Sequence, residues 1–415
     1  MRNSTRTATA LLAVGLTAVL TACGSTVGGT AQPAETDIRT LDTGSYPTEP
    51  INAHDADPVP PFYEMDEVAG MRIADYVIHS GEIDPRMTFG KRGGTVMPGV
   101  LPSELGDSTV LSDIAKKHKM LYGFESNGTS KDSTINSSSG WPSKQAANQF
   151  TATTMVFQFP DAERANAAAR EFYDVDLAAQ EGKNQPVALP GYPAALSHWR
   201  PDSPFLRTLL PHGPYVIAFL LSVDSPDQQA LVTMAETAYG KQIAALDRTA
   251  PLTDEEVMTL PWDPQHVLMR TLNPEELSSP DGSGQYLLTG RHGILHYSGD
   301  PLPADRQFVE DQFTKMNAEQ IALSWGSVGV RTADPASARR AVTEKLLPWR
   351  VETDAAAPPN VPDSACVENK QVLDGRKRFS CIVAYHQYVG IVSSNQLLDA
   401  QQRAAAQYAV FANTR

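Results

Sequence analysis

Two short stretches, Tyr215-Val-Ile-Ala-Phe-Leu-Leu221 and Tyr388-Val-Gly-Ile-Val392, lie 173 residues apart and fix the register of an internal repeat. With that ungapped shift Asp161 falls on Asp334, Ala165 on Ala338, Ala168 on Ala341, Pro186 on Pro359 and Gln228-Gln229 on Gln401-Gln402. The identities are few, but the elements they imply are in step. Each copy starts with an apolar strand, 154–159 or 327–331. An aspartate follows whose carboxylate can accept from the free amides of a helix's first turn, and Pro335 suits the first helical position. The helix core face repeats, Ala165, Ala169 and Tyr173 matching Ala338, Val342 and Leu346. Proline-rich connections at 186–193 and 358–362 come next. Strands follow at 194–199 and 215–221 in one copy, and at 366–373, 379–385 and 388–392 in the other. A final helix closes each copy, with Leu231, Met234, Ala235 and Ala238 or Ala404, Tyr408 and Phe411 on its apolar side. The expected fold is therefore α+β: two related domains, each an antiparallel sheet with helices packed on one face. The segments in front of these copies do not align by the same shift, so the repeat is expected only in the back halves.

Outward from this core, the expected domains are 61–252 and 253–415, meeting near Thr253 to Pro264. The first opens with a helix near 62–78, whose Met65, Ala69, Ile73, Tyr76 and Val77 share one face of a 3.6-residue period. Residues 123–140, rich in Gly and Ser, read as an exposed loop. They carry two glycosylation-like triplets, at Asn127 and Asn136. Residues 23–60 read as a flexible tether ending in Asp57-Pro-Val-Pro-Pro61, with Ile38, Leu41 and Tyr46 able to dock locally.

The amino terminus sets the compartment. Arg2 and Arg6 precede an apolar run from Ala8 to Leu20, the order of a secretory signal. Its cleavage region is Leu20-Thr-Ala-Cys23, a Leu-x-Ala-Cys lipobox similar to the processing site of bacterial lipoproteins. That resemblance implies removal of residues 1–22 and lipidation of the Cys23 thiol, placing the protein on the extracytoplasmic face of the membrane. No other stretch approaches the roughly 18 apolar residues of a spanning helix. The formal charge of −14, with no basic cluster, argues against nucleic acid as a partner and against electrostatic adhesion to anionic lipid. Of three cysteines, lipidation of Cys23 leaves an even pair, Cys366 and Cys381. Between them Asp374-Gly375 is a hairpin turn signal that sets the two roughly opposite each other, where a disulfide can close.

The lipobox, Gly29-Thr-Ala-Gln-Pro33, Leu41-Asp-Thr-Gly-Ser-Tyr-Pro47 and Gln401-Gln-Arg-Ala-Ala-Ala-Gln-Tyr408 together resemble a family of uncharacterised actinobacterial two-domain envelope lipoproteins. The resemblance spans nearly the whole mature chain. It implies location and a two-part architecture, and no chemistry.

Catalytic signatures are missing. There is no Gly-x-Ser-x-Gly elbow and no Ser-x-x-Lys. His292-Gly-Ile-Leu-His296 has zinc-helix spacing but lacks the adjacent glutamate, and its glycines disfavour a helix; on a strand His292, Ile294 and His296 would share a face. No metal, cofactor or catalytic residue is expected from these motifs. Gly90-Lys-Arg-Gly-Gly-Thr95 departs from the P-loop spacing and reads as a solvated turn. The aromatics Trp199, Phe205, Tyr215 and Phe219, and Trp325, Tyr385 and Tyr388, gather near the two sheets, where some can line an apolar pocket. The expected function is a non-enzymatic, membrane-anchored binder of a lipid, a glycan or an envelope protein. The alternatives are a structural lipoprotein or an envelope hydrolase built on histidines 79, 118, 198 and 212.

Overall fold

A computed structural model describes residues 36–51, 65–131, 149–179, 182–274, 286–297, 302–303, 305–350, 353–369 and 377–414. Cys23, Asp374-Gly375 and Asn136 lie outside them. Helices α1 (Met65–Ile73) and α2 (Ser80–Ile83) lead into β1 (Phe89–Val96), α3 (Ser108–Lys117), β2 (Tyr122–Thr129), β3 (Thr151–Gln158) and α4 (Ala162–Ala178). Strands β4 (Gln185–Val187), β5 (Leu196–Trp199), β6 (Phe205–His212) and β7 (Tyr215–Ser222) follow, then α5 (Gln228–Leu246) and α6 (Asp254–Met258). The second unit runs β8 (Tyr286–Gly290), α7 (Arg306–Lys315), β9 (Ala318–Ser324), β10 (Ser327–Thr332), α8 (Pro335–Thr343), β11 (Thr353–Ala355), β12 (Ser364–Glu368), β13 (Phe379–Tyr385), β14 (Tyr388–Ser394) and α9 (Leu397–Asn413).

Each unit holds one antiparallel seven-stranded sheet, in the orders β1-β2-β3-β7-β6-β5-β4 and β8-β9-β10-β14-β13-β12-β11. These are the same order, strand for strand. The repeat therefore covers the front halves as well as the back, contrary to the sequence expectation. The reason is one connection: β2 and β3 are joined through residues 130–150, whereas β9 and β10 are joined by Trp325 and Gly326 alone. A length change there destroys any ungapped alignment of what precedes it.

The aspartate caps form as expected. The Asp161 carboxylate accepts from the Arg164 amide and the Asp334 carboxylate from the Ser337 amide, each at 2.8 Å. Two α+β domains with antiparallel sheets are present, but helices cover both faces of each sheet instead of one. Successive strand residues point to opposite faces. Ile217, Phe219 and Leu221 pack with α1 and α5, while Val216 and Ala218 pack with α3 and α4. Likewise Ile382 and Ala384 pack with α7 and α8, and Cys381 and Val383 with α9. That two-sided burial explains why β7 is apolar throughout.

Residues 37–51, read as the end part of the tether, are docked on the second unit, with Leu41 and Tyr46 packed as expected. Leu41 joins the core under α9, the Tyr46 hydroxyl donates to the Asp399 carboxylate at 2.5 Å, and the Ile51 amide donates to the Met269 carbonyl. The glycine-rich segment starting at Gly123 is the buried strand β2 up to Thr129, not an exposed loop, and Asn127 within it is buried. Gly90–Thr95 is likewise strand β1. Cys366 and Cys381 are directly opposed in β12 and β13 and joined by a disulfide.

Candidate functional site

The polar centre of the molecule lies where the two units meet. His79 sits at the start of α2, and Glu82 follows within it; a Glu82 carboxylate oxygen accepts from the His79 amide at 2.9 Å. From the second unit, a 3-10 turn at Gly293–His296 presents His292 and His296. The Asp75 carboxylate clamps that turn, accepting from the Gly290 amide at 2.8 Å and the Gly293 amide at 2.7 Å. His292 Nε2 lies 2.9 Å from Glu82 Oε2, and His79 Nε2 lies 3.6 Å from the same oxygen. The His79 and His292 rings stack with centroids 5.6 Å apart, and His296 meets both edge-on.

Beneath them Arg306 is fully buried. Its Nε donates to the Leu295 carbonyl, Nη1 to the Ser80 hydroxyl and Nη2 to the Asn127 carbonyl, each at 2.6 Å. Glycine makes room for this knot. A Cβ at Gly128 would collide with the Ser80 hydroxyl and Arg306, and one at Gly93 would stand 2.4 Å from the His296 carbonyl. The glycines of β1 and β2 thus mark a close approach of the second unit.

Burial and charge set the protonation states. Burial, reinforced by Arg306, pushes His79 down to about 3. Burial raises Glu82, but the His292 hydrogen bond and the charges of both histidines more than offset this and bring it down to about 2. For His292, burial is outweighed by Glu82 and Asp75, and its pKa rises. Burial holds His296 well below the usual value and brings Arg306 down to about 9. His296 Nε2 must donate to the Ala74 carbonyl at 2.9 Å, so Nδ1 accepts from the Ser126 hydroxyl at 2.7 Å. Both side chains are fully enclosed, so this pair is a structural hydrogen bond and not an accessible nucleophile.

A second feature is a cavity of about 350 Å³ in the first unit. Trp199, Phe205 and Leu220 form its apolar wall, and Glu104, Arg200, Arg207 and Asn184 line its polar edge. Buried Asp176 holds that edge, receiving Arg207 Nη1 at 2.7 Å and facing His198 Nε2 at 2.6 Å. The Arg200 Nε is buried and has no hydrogen-bond partner among the described residues.

Comparison with known proteins follows the same two-part division. A family profile described as the N-terminal domain of unknown function DUF7373 matches residues 57–262, and the C-terminal DUF7373 profile matches 267–414. The chain belongs to the DUF7373 family. None of the curated proteins matches it. Among solved structures it is similar to the extracellular domain of PknH from Mycobacterium tuberculosis, at 11% identity and a TM-score of 0.30, over 42% of this chain and 94% of that one.

In this DUF7373 protein all four histidines proposed as hydrolase material face carboxylates. His118 lies 3.0 Å from Glu171 and His212 3.0 Å from Asp247, beside the His79–Glu82 and His198–Asp176 pairs above. Among the described residues none of the four is hydrogen-bonded to a hydroxyl or thiol side chain. Of the grouped aromatics, Trp199 and Phe205 reach the cavity, while Tyr215 and Phe219 are core. Sequence reasoning weighed His292 with His296, and His79 with other histidines, and missed that His79, Glu82 and Arg306 join the pair. Their only signal was glycine, in β1 read as a turn and in β2 as an exposed loop.

Proposed function

We propose that this protein is an exported lipoprotein of the bacterial envelope, anchored by a lipidated Cys23, that binds a ligand and does not transform it. The ligand class is an amphipathic molecule with an acidic group, a lipid or a glycan acid. The cavity under Trp199 carries this reading: it has the size of a small-molecule site, with an apolar wall and convergent polar groups, and the Arg200 Nε has no acceptor among the described residues. Location rests on the order of basic start, apolar run and lipobox. A disulfide suits an oxidising compartment, and no described helix is long and apolar enough to cross a membrane. The net charge of −14 continues to argue against nucleic acid.

Native mass spectrometry of the full chain extracted from its envelope tests this reading. A reproducible added mass of lipid or glycan size is expected, and it should be lost in Trp199→Ala and Arg200→Ala. A clean unliganded mass, or an adduct that both variants keep, would contradict it. Radiolabelled palmitate incorporated into wild type but not Cys23→Ser checks the anchor.

A further inference from the structure

A separate site lies at the junction of the units. We propose that His79, Glu82 and His292 form a divalent transition-metal site, zinc by ligand chemistry, that staples the first unit to the second.

The argument is geometric. One ligand atom from each of the three residues lies within 4.8 Å of the others. In a tetrahedral zinc site with bonds of about 2.0–2.1 Å, neighbouring ligand atoms stand about 3.3–3.4 Å apart. The two distances to Glu82 Oε2, 2.9 Å from His292 and 3.6 Å from His79, already straddle that spacing. Two imidazoles and one carboxylate are a set that suits zinc and its neighbours, whereas calcium and magnesium prefer oxygen. The fold supports the set from behind. Asp75 pins the His292 turn through two backbone amides, and the α2 amide at His79 pins Glu82.

Further observations bear on the same place. The Nδ1 atom of His79 is buried with no hydrogen-bond partner among the described residues. A buried ring nitrogen left unpaired is costly. Glu82 and His292 are about a third exposed, so an ion has a way in. The opposing charge is Arg306, which faces Glu82, while Asp75 and Glu82 act on His292.

The test titrates untagged full chain with zinc by calorimetry, and with cobalt by visible absorption. One equivalent of zinc per chain is expected. Binding should weaken at least tenfold in Glu82→Gln and in His292→Asn, and stay unchanged in His212→Asn, whose imidazole pairs with Asp247 on the surface. Cobalt should give the intense absorption of a tetrahedral nitrogen–oxygen set, and excess calcium should not displace it. Absence of stoichiometric binding, or equal binding by wild type and both ligand variants, overturns the proposal. Should those variants fail to fold, the cobalt spectrum of the wild type decides: a weak, octahedral, water-like spectrum overturns it.

Discussion

The same rung closes the two sheets in different ways. Thr208 pairs with Phe219 in the first sheet and Cys381 with Val392 in the second, both at the 173-residue offset that aligns Tyr215 with Tyr388. Across that rung stand Ser197 and Cys366. In the first unit Ser197 and Thr208 share a hydrogen bond of 2.5 Å, and Thr208 continues to the Tyr239 hydroxyl on α5 at 2.8 Å. In the second a disulfide does the work. The hydroxyl chain ties sheet to helix in the folded state only. The disulfide ties strand to strand and also restrains the unfolded chain. One backbone plan therefore carries two kinds of fastening, and next to the hydroxyl rung, at His198 and Trp199, the first unit has opened a cavity.

What the units keep in common is a buried glutamine clamp. Gln242 on α5 accepts from the Ile78 amide at 2.9 Å and donates to the Tyr76 carbonyl at 2.8 Å. Gln407 on α9 accepts from the Leu272 amide at 2.8 Å and donates to the Arg270 carbonyl at 2.7 Å. Each fixes the segment that leads into its own sheet.

The largest expected effect breaks this shared device. Gln242→Leu or Gln407→Leu leaves a backbone amide and a carbonyl unpaired, at about 1–3 kcal/mol each, so each variant should lose about 2–5 kcal/mol in urea unfolding. A loss below about 1 kcal/mol would show that the clamp is incidental. Next, Cys366→Ser with Cys381→Ser opens a loop with a sequence separation of 15, and should cost about 3 kcal/mol. Reductant should reproduce the loss in wild type and leave the double variant unchanged.

Acid should loosen the junction. His79 has a folded pKa of about 3 against 6.5 unfolded, so the unfolded chain binds the proton first. Stability is then lost as pH falls from about 6.5 toward 3, by up to about 1.4 kcal/mol per pH unit. His292 is raised and works in the opposite sense, its contribution present at low pH and lost as pH rises through its folded value. His79→Gln should flatten the acid limb of stability against pH, and an unchanged limb would remove His79 from the account. Smallest is the hydroxyl rung. Thr208→Val strips the shared partner from Ser197 and Tyr239 and should cost about 1–2 kcal/mol, less than loss of the disulfide at the matching place.

The back halves of both units were legible because their signals are local. Aspartate caps, a Pro after Asp334 and continuous apolar strands need no knowledge of distant residues. Strands β1 and β2 were not legible, because their glycines serve a neighbour 170 or more residues away and mimic loop composition. The front-half repeat was hidden by a single connection of unequal length. The junction cluster was half visible: His292 and His296 stood out by spacing, but His79 and Glu82 join them only through the packing of one unit on the other. The clamp glutamines carried no sequence signal, since Gln242 and Gln407 are 165 residues apart and fall off the 173-residue register.

The central claim is that the chain is one folded plan used twice, and hydrogen exchange tests it most directly. Ile78 and Leu272 amides should both exchange slowly in wild type. Gln242→Leu should release Ile78 while leaving Leu272 protected, and Gln407→Leu should do the reverse. Fast exchange at either amide in wild type, or release of neither by its own variant, would contradict it.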